Sequence, residues 1–170
     1  MYCCFTGHRP EHLGKLAGEE NERCHQLKNV LSRMIDHAIA DGYTDFYCGM
    51  ARGIDTFAAE ILIEKISKGS NVRLHAALPC PQQQLCWNDK DKKRFENILS
   101  HASSKTIISP TYTDTCMLTR NRFMVDNCQR VIAVWNGFFR GGTAYTVRYA
   151  KKENKEIYLI RPKDLSISIL

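Results

Sequence analysis

The sequence contains no apolar run that approaches the roughly 18 residues of a membrane-spanning helix. Its first residues include no basic flank of the kind that a signal peptide carries. Internal repeats, linkers and low-complexity segments are also missing. We therefore expect one domain over residues 1–170, a cytoplasmic location and no membrane partner.

The chain also lacks the signatures of several enzyme and metal-binding classes. It has no Walker A loop and no G-x-S-x-G, and its first glycine turn reads G-H-R-P rather than G-x-G-x-x-G. Eight cysteines form no C-x-x-C pair and no Cys/His group with zinc-finger spacing. Cys48, Cys80, Cys86 and Cys128 lie in or beside apolar runs, where cysteine acts as a small hydrophobe. We predict reduced thiols, no metal, no cofactor and no identifiable catalytic residue.

What the sequence does contain is a regular alternation of strand-like and helix-like segments. Apolar runs predict strands over residues 2–6, 46–48, 72–78, 105–109, 130–135 and 157–160. Apolar residues recur at helical spacing between them, and residues 165–170 are either an edge strand or a loose end. This alternation predicts an α/β fold, a Rossmann-like three-layer domain with a mostly parallel sheet and helices on both faces.

In such a fold the ligand lies beyond the carboxyl ends of the strands. The most informative segment there is G-M-A-R-G-I-D at residues 49–55, a glycine-rich turn between a strand and a helix. Free backbone N–H groups at the start of such a helix favour an anion. Arg52 adds a fixed positive charge, and Asp55 can cap the helix or accept a hydrogen bond from a ligand hydroxyl.

Two other strand ends carry similar features. Gly7 permits close approach of a ligand, and His8 and Arg9 can bind phosphate. Residues 140–143, R-G-G-T, offer a second helix start for an anion. The alternatives are a turn with solvated charges in the first case and a plain loop capped by Thr143 in the second.

Two further side chains are candidates for ligand binding because of where they lie in the sequence. Trp87 follows three glutamines and is interpreted as a pocket wall on which a base can stack. Arg120, early in a predicted helix, can point over the edge of the sheet. Its alternative is a solvated helix face, and that of Trp87 is core packing.

These segments, in this order, resemble the YpsA-like family of the SLOG superfamily, which also includes DprA and the LOG phosphoribohydrolases. The resemblance covers most of the chain and rests on T-G-H-R-P at 6–10, residues 49–55, Pro79 with Gln83 and Trp87, Arg120 with Met124, and the G-G-T of 141–143. It implies a Rossmann-like fold and a pocket for a nucleotide or nucleotide-derived ligand. Families of this fold often self-associate, which implies a possible homodimer.

The strand-end rule and the resemblance together predict a set of ligand-binding residues. They are Gly7, His8, Arg9, Gly49, Ala51, Arg52, Gly53, Asp55, Trp87, Arg120, Asn121, Gly141, Gly142 and Thr143.

The chain departs from the LOG enzymes at one decisive position. Their pattern P-G-G-x-G-T-x-x-E ends on a catalytic glutamate, and Thr146 stands there in this sequence. A threonine cannot act as a general acid in N-glycosidic cleavage. The resemblance therefore favours binding over catalysis.

Three functions remain open from the sequence. The first is a sensor or regulatory domain that binds a nucleotide or its derivative. The second is a nucleotide N-glycosidase or phosphoribohydrolase, in which Asp55 or Asp126 would supply the missing carboxylate. The third is single-stranded DNA binding as in DprA, which the net charge of +6 permits. Nucleic acid is not favoured, because the basic groups at residues 90–94 and 151–155 read as solvated helix faces.

Overall fold

The computed structural model describes residues 1–14 and 19–170. The strands are β1 Tyr2–Gly7, β2 Asp45–Cys48, β3 Arg73–Leu78, β4 Ser104–Ile107, β5 Arg130–Val134, β6 Glu156–Ile160 and β7 Ile167–Ile169. The helices are α1 Glu22–Ala40, α2 Ile54–Ser67, α3 Asp89–Ser100, α4 Cys116–Asp126 and α5 Gly142–Lys152. A 3₁₀ turn at Pro10–His12 follows β1, and the tail forms an edge strand rather than a loose end.

The strands form one seven-stranded sheet in the order β4-β3-β2-β1-β5-β6-β7. Every neighbouring pair is parallel except β6 and β7, which run antiparallel. The predicted fold class, an α/β three-layer arrangement around a mostly parallel sheet, is confirmed.

Buried side chains divide the helices between the two faces of the sheet. Successive residues of a strand point to opposite faces, so Phe5 joins one apolar cluster and Cys4 the other. The cluster of Phe5 contains the buried faces of α1, α2 and α3, and the cluster of Cys4 contains those of α4 and α5. No helix in the described ranges is long and apolar enough to cross a membrane.

The strand order creates a crevice at the centre of the sheet. The chain builds outward from β1 through β2 and β3 to β4, and then returns to place β5 on the other side of β1. The connections that follow β1 and β5 therefore diverge to opposite faces. Such a topological switch point leaves a gap at the carboxyl ends of the two strands, which is where open α/β sheets bind ligands.

Gly7, the last residue of β1, lets helix α2 approach this gap. A Cβ atom on Gly7 would lie 2.5 Å from the Cβ of Ile54, the first residue of α2. Ile54 is fully buried, and its N–H donates to the carbonyl of His8 over 3.3 Å. The absent side chain of Gly7 thus sets the distance between β1 and the start of α2.

We expect Gly7→Ala to lower the free energy of unfolding by about 1–3 kcal/mol, because the added methyl group overpacks this contact. Gly142→Ala is the matched control, since its nearest neighbour, Nδ2 of Asn121, lies at an ordinary 3.8 Å. Urea denaturation should show a loss for the first variant and none for the second. Equal stability of both variants would contradict the close-approach role.

Candidate functional site

A cleft of about 760 Å³ occupies the switch point at the carboxyl ends of β1 and β5. Most of the predicted binding residues line it, namely Gly7, His8, Arg9, Ala51, Asp55, Arg120, Asn121, Gly141, Gly142 and Thr143. Segments far apart in sequence therefore line the same cleft, as expected for residues that follow the carboxyl ends of the strands.

The other predicted residues lie outside this cleft. The guanidinium of Arg52 pairs with Glu11, lies 3.6 Å from the carboxylate of Asp91 and sits 6.0 Å from the ring centroid of Trp87. The indole of Trp87 packs edge-on against Phe95. Arg52 and Trp87 thus belong to a contact between the loop before α2 and helix α3, a packing role that their sequence neighbours did not reveal.

Gly49 and Gly53 do not line the cleft but allow the segments around it to pack closely. A Cβ atom on Gly49 would collide with the guanidinium of Arg120 and lie 2.7 Å from Oδ2 of Asp55. Gly53 has a φ of 88° and would place a Cβ 2.5 Å from the carbonyl oxygen of His8. Both glycines are therefore required by close packing around the site.

Several side chains that line the cleft are absent from the predicted ligand-binding set, and three of them belong to the loop after β5. Asn136, Phe138 and Arg140 all line the cleft. Phe138 is 71% exposed although it is a large apolar residue. A phenylalanine directly after a buried strand, in a loop with two glycines, is the signal that sequence reasoning could have used.

Arg120 is buried at the base of the cleft and links the loops around it. Its Nη1 donates to the carbonyl of Gly49, and its Nε donates to Oδ1 of Asn121 over 2.8 Å. The carboxylate of Asp55 lies 3.9 Å from the guanidinium. Burial lowers the pKa of Arg120 and raises the pKa of Asp55, and each charge partly offsets the effect on the other.

The hydrogen bonds continue from Arg120 to helix α5. Nδ2 of Asn121 donates to Oγ1 of Thr146 over 2.9 Å, and the Thr146 hydroxyl donates to the carbonyl of Gly142 over 2.8 Å. One buried chain thus joins the loop after β2 to the start of α5. It fixes both walls of the cleft to helix α4.

The two glycine-rich loops, which the sequence treated alike, differ in what their N–H groups contact. In the loop before α2, the N–H of Ala51 donates to the carboxylate of Asp55 over 3.2 Å, and that of Ile54 donates to His8. Asp55 therefore brings a negative charge of the protein itself into this loop. An anionic ligand is disfavoured beside it.

The start of α5 is open instead. The helix is capped by Gly141 without a side-chain hydrogen bond, so the alternative interpretation, a loop capped by Thr143, is wrong. In the described part of the chain, the N–H groups of Gly142, Thr143 and Ala144 have no hydrogen-bond partner. These are the unsatisfied donors of a helix N-terminus, and they adjoin the cleft.

Positive charge surrounds this open helix start. Arg9 and Arg140 line the cleft, and across residues 1–14 and 19–170 neither guanidinium has a hydrogen bond or an ion pair. His8 accepts a hydrogen bond at Nε2 from the N–H of Asn136 over 3.1 Å. Burial lowers the pKa of His8, which favours its neutral form, whereas Arg9 and Arg140 are cations.

A family model described as the YspA SLOG family, YpsA, matches residues 3–165. The chain belongs to this family. Among its relatives are UPF0398 proteins of Bacillus thuringiensis (strain Al Hakam) and Bacillus cereus (strain Q1), each 25% identical over 166 residues, which is 94% of this chain and 90% of the relative. Neither relative's name states a ligand or an activity.

In this SLOG protein, Thr146 has a structural role. It is fully buried, and its hydroxyl both donates to Gly142 and accepts from Asn121. Thr146 does not line the cleft. Of the two carboxylates considered as its replacement, Asp55 lines the cleft and Asp126 does not. Asp126 instead accepts a hydrogen bond from the hydroxyl of Tyr149 over 2.8 Å.

We expect Thr146→Val to lower the free energy of unfolding by about 1–3 kcal/mol, because it leaves the buried amide of Asn121 without its acceptor. Thr119→Val is the matched control on α4, since the Thr119 side chain is exposed and its hydroxyl donates to the carbonyl of Thr115. Chemical denaturation should show a loss of less than about 0.5 kcal/mol for this control. Similar losses in both variants would rule out the linking role of Thr146.

Proposed function

We propose that this protein binds a phosphate-bearing nucleotide, or a derivative of one, in the cleft between β1 and β5. The observation that carries the proposal is the open start of α5, where three N–H groups and the two arginines of the cleft have no partner among the described residues. Backbone donors and the helix dipole at such a position favour a phosphate group. Arg9 and Arg140 are placed to add charge-assisted hydrogen bonds to it.

The rest of the cleft suits a nucleoside. Phe138 offers an exposed aromatic ring on the same loop that leads to the phosphate position. Met117 and Leu118 supply apolar surface from the first turn of α4. Base–aromatic stacking is worth about 1–3 kcal/mol and accepts any base, so the aromatic ring alone does not select one.

Binding without turnover is the function that these contacts support best. The residue at the position of the LOG glutamate, Thr146, is buried and occupied by two hydrogen bonds. The cleft is instead held in a fixed shape by the chain of bonds from Gly49 to Gly142. A preorganised site of this kind fits a sensor or regulatory domain.

One observation favours a second candidate, a nucleotide N-glycosidase. Asp55 lines the cleft, and burial raises its pKa, which is the property of a catalytic acid. Among the described residues, one of its oxygens, Oδ2, accepts a hydrogen bond, from the N–H of Ala51. A protonated Asp55 would be able to donate to a leaving base.

Nucleotide binding is tested by thermal shift and calorimetry with the four common nucleoside 5′-monophosphates, the matching nucleosides and a short oligonucleotide. We expect a mononucleotide to raise the Tm, and Arg9→Ala to weaken its binding about tenfold or more, because a charge-assisted hydrogen bond to phosphate is lost. Binding should also weaken as salt rises.

Two arginine variants serve as controls for that loss. Arg33→Ala removes an exposed charge in the middle of α1, and Arg52→Ala removes a charge that belongs to the loop of residues 49–55 but lies outside the cleft. Both should bind nucleotide like the wild type once corrected for stability. If Arg52→Ala and not Arg9→Ala loses binding, the assignment of the phosphate to α5 is wrong.

The enzymatic candidate makes a different prediction. Incubation of the protein with nucleoside monophosphates would release free base, and Asp55→Asn would stop the release while preserving the acceptor for Ala51. Liquid chromatography detects the base directly. On our proposal no base appears, although the mononucleotide binds.

A further inference from the structure

A second groove of about 550 Å³ lies at the same edge of the sheet as the cleft. It is formed by the loops that follow β3 and β4, together with Met117 at the start of α4. Its walls include Tyr112, which is 67% exposed, and Leu85, which is 59% exposed. No charged side chain in the described part of the chain lines it.

The groove adjoins the cleft, since Met117 lines both. The two occupy neighbouring strand ends in the order β5, β1, β2, β3 and β4. At about 4.8 Å between neighbouring strands, the combined site is on the order of 19 Å long. Together the two volumes exceed the roughly 300–1,000 Å³ of a typical small-ligand pocket.

The chemistry of the two parts is complementary. The cleft carries Arg9, Arg140 and the open helix start, which suit phosphate, whereas the groove is uncharged. The groove offers the ring of Tyr112 for stacking and the amide of Gln82 for hydrogen bonds to a polar ring edge. Gln83 is held in place, since its Nε2 donates to the carbonyl of Met50 over 2.8 Å.

We propose that the ligand extends from the cleft into this groove, and that it is a dinucleotide: two nucleosides joined through their phosphates. The first nucleoside and the phosphates occupy the cleft, and the second base lies against Tyr112. This inference rests on the proposed nucleotide binding and names its ligand class.

The test compares nucleoside 5′-monophosphates with symmetrical dinucleoside 5′,5′-diphosphates of the same bases by calorimetry. We expect the matching dinucleotide to bind about tenfold tighter than its mononucleotide, which is the order of one stacked base. Tyr112→Ala should remove this advantage and leave mononucleotide affinity unchanged. Tyr112→Phe should keep it, because the aromatic face remains.

Cys86 provides a readout that needs no substitution. It lines the groove and is exposed, whereas the other seven cysteines are buried. Alkylation by iodoacetamide should therefore modify Cys86 first. We expect the dinucleotide to slow this modification, as followed by mass spectrometry, and the mononucleotide to leave its rate unchanged.

The outcomes separate the two proposals. If mononucleotides bind but dinucleotides bind no tighter, or if Tyr112→Ala weakens both alike, the groove is not a subsite and nucleotide binding stands. If neither class binds, both proposals fall. If Cys86 is protected without ligand and Tyr112→Ala converts a dimer into monomers, a second copy covers the groove and the dinucleotide inference is wrong.

Discussion

The cleft depends on one buried cation, the guanidinium of Arg120. A charge removed from water is costly unless hydrogen bonds and an opposite charge compensate it, and here Gly49, Asn121 and Asp55 do so. These partners belong to different segments of the chain, so compensating Arg120 brings the segments together. Removing one member of such a buried set typically costs about 3–5 kcal/mol. The shape of the site and part of its stability therefore come from the same contacts.

The arrangement also makes the two walls of the cleft chemically unequal. On the side of α2, Asp55 supplies negative charge and already accepts the N–H of Ala51. On the side of α5, the first N–H groups stay unpaired and the charged side chains nearby are arginines. For the nucleotide that we propose as ligand, this asymmetry favours one orientation, with its phosphate toward α5. Two loops that are both glycine-rich helix starts thus differ in how their N–H groups are bonded.

The sequence was sufficient to predict the fold and to predict many of the residues that line the cleft. Alternating apolar runs determine the strands and helices, and the strand-end rule brings Gly7, Asp55 and Gly142 to one edge without any knowledge of distances. The sequence could not reveal the direction in which individual side chains point. Arg52 lies in a loop beside the cleft yet turns toward Glu11, and Cys86, expected to be a small core residue, is exposed. The orientation and exposure of these side chains depend on tertiary contacts between segments that are distant in sequence, and local patterns contain no information about such contacts.

The central claim is that phosphate binds at the start of α5 rather than at the loop before α2. Titration of ¹⁵N-labelled protein with the mononucleotide that binds tightest tests it most directly, because each backbone N–H reports separately. The account predicts the largest shifts for the amides of Gly142 and Thr143, and smaller ones for Ala51 and Ile54, whose N–H groups already have partners. Large shifts confined to residues 49–55, with Gly142 and Thr143 unmoved, would contradict it.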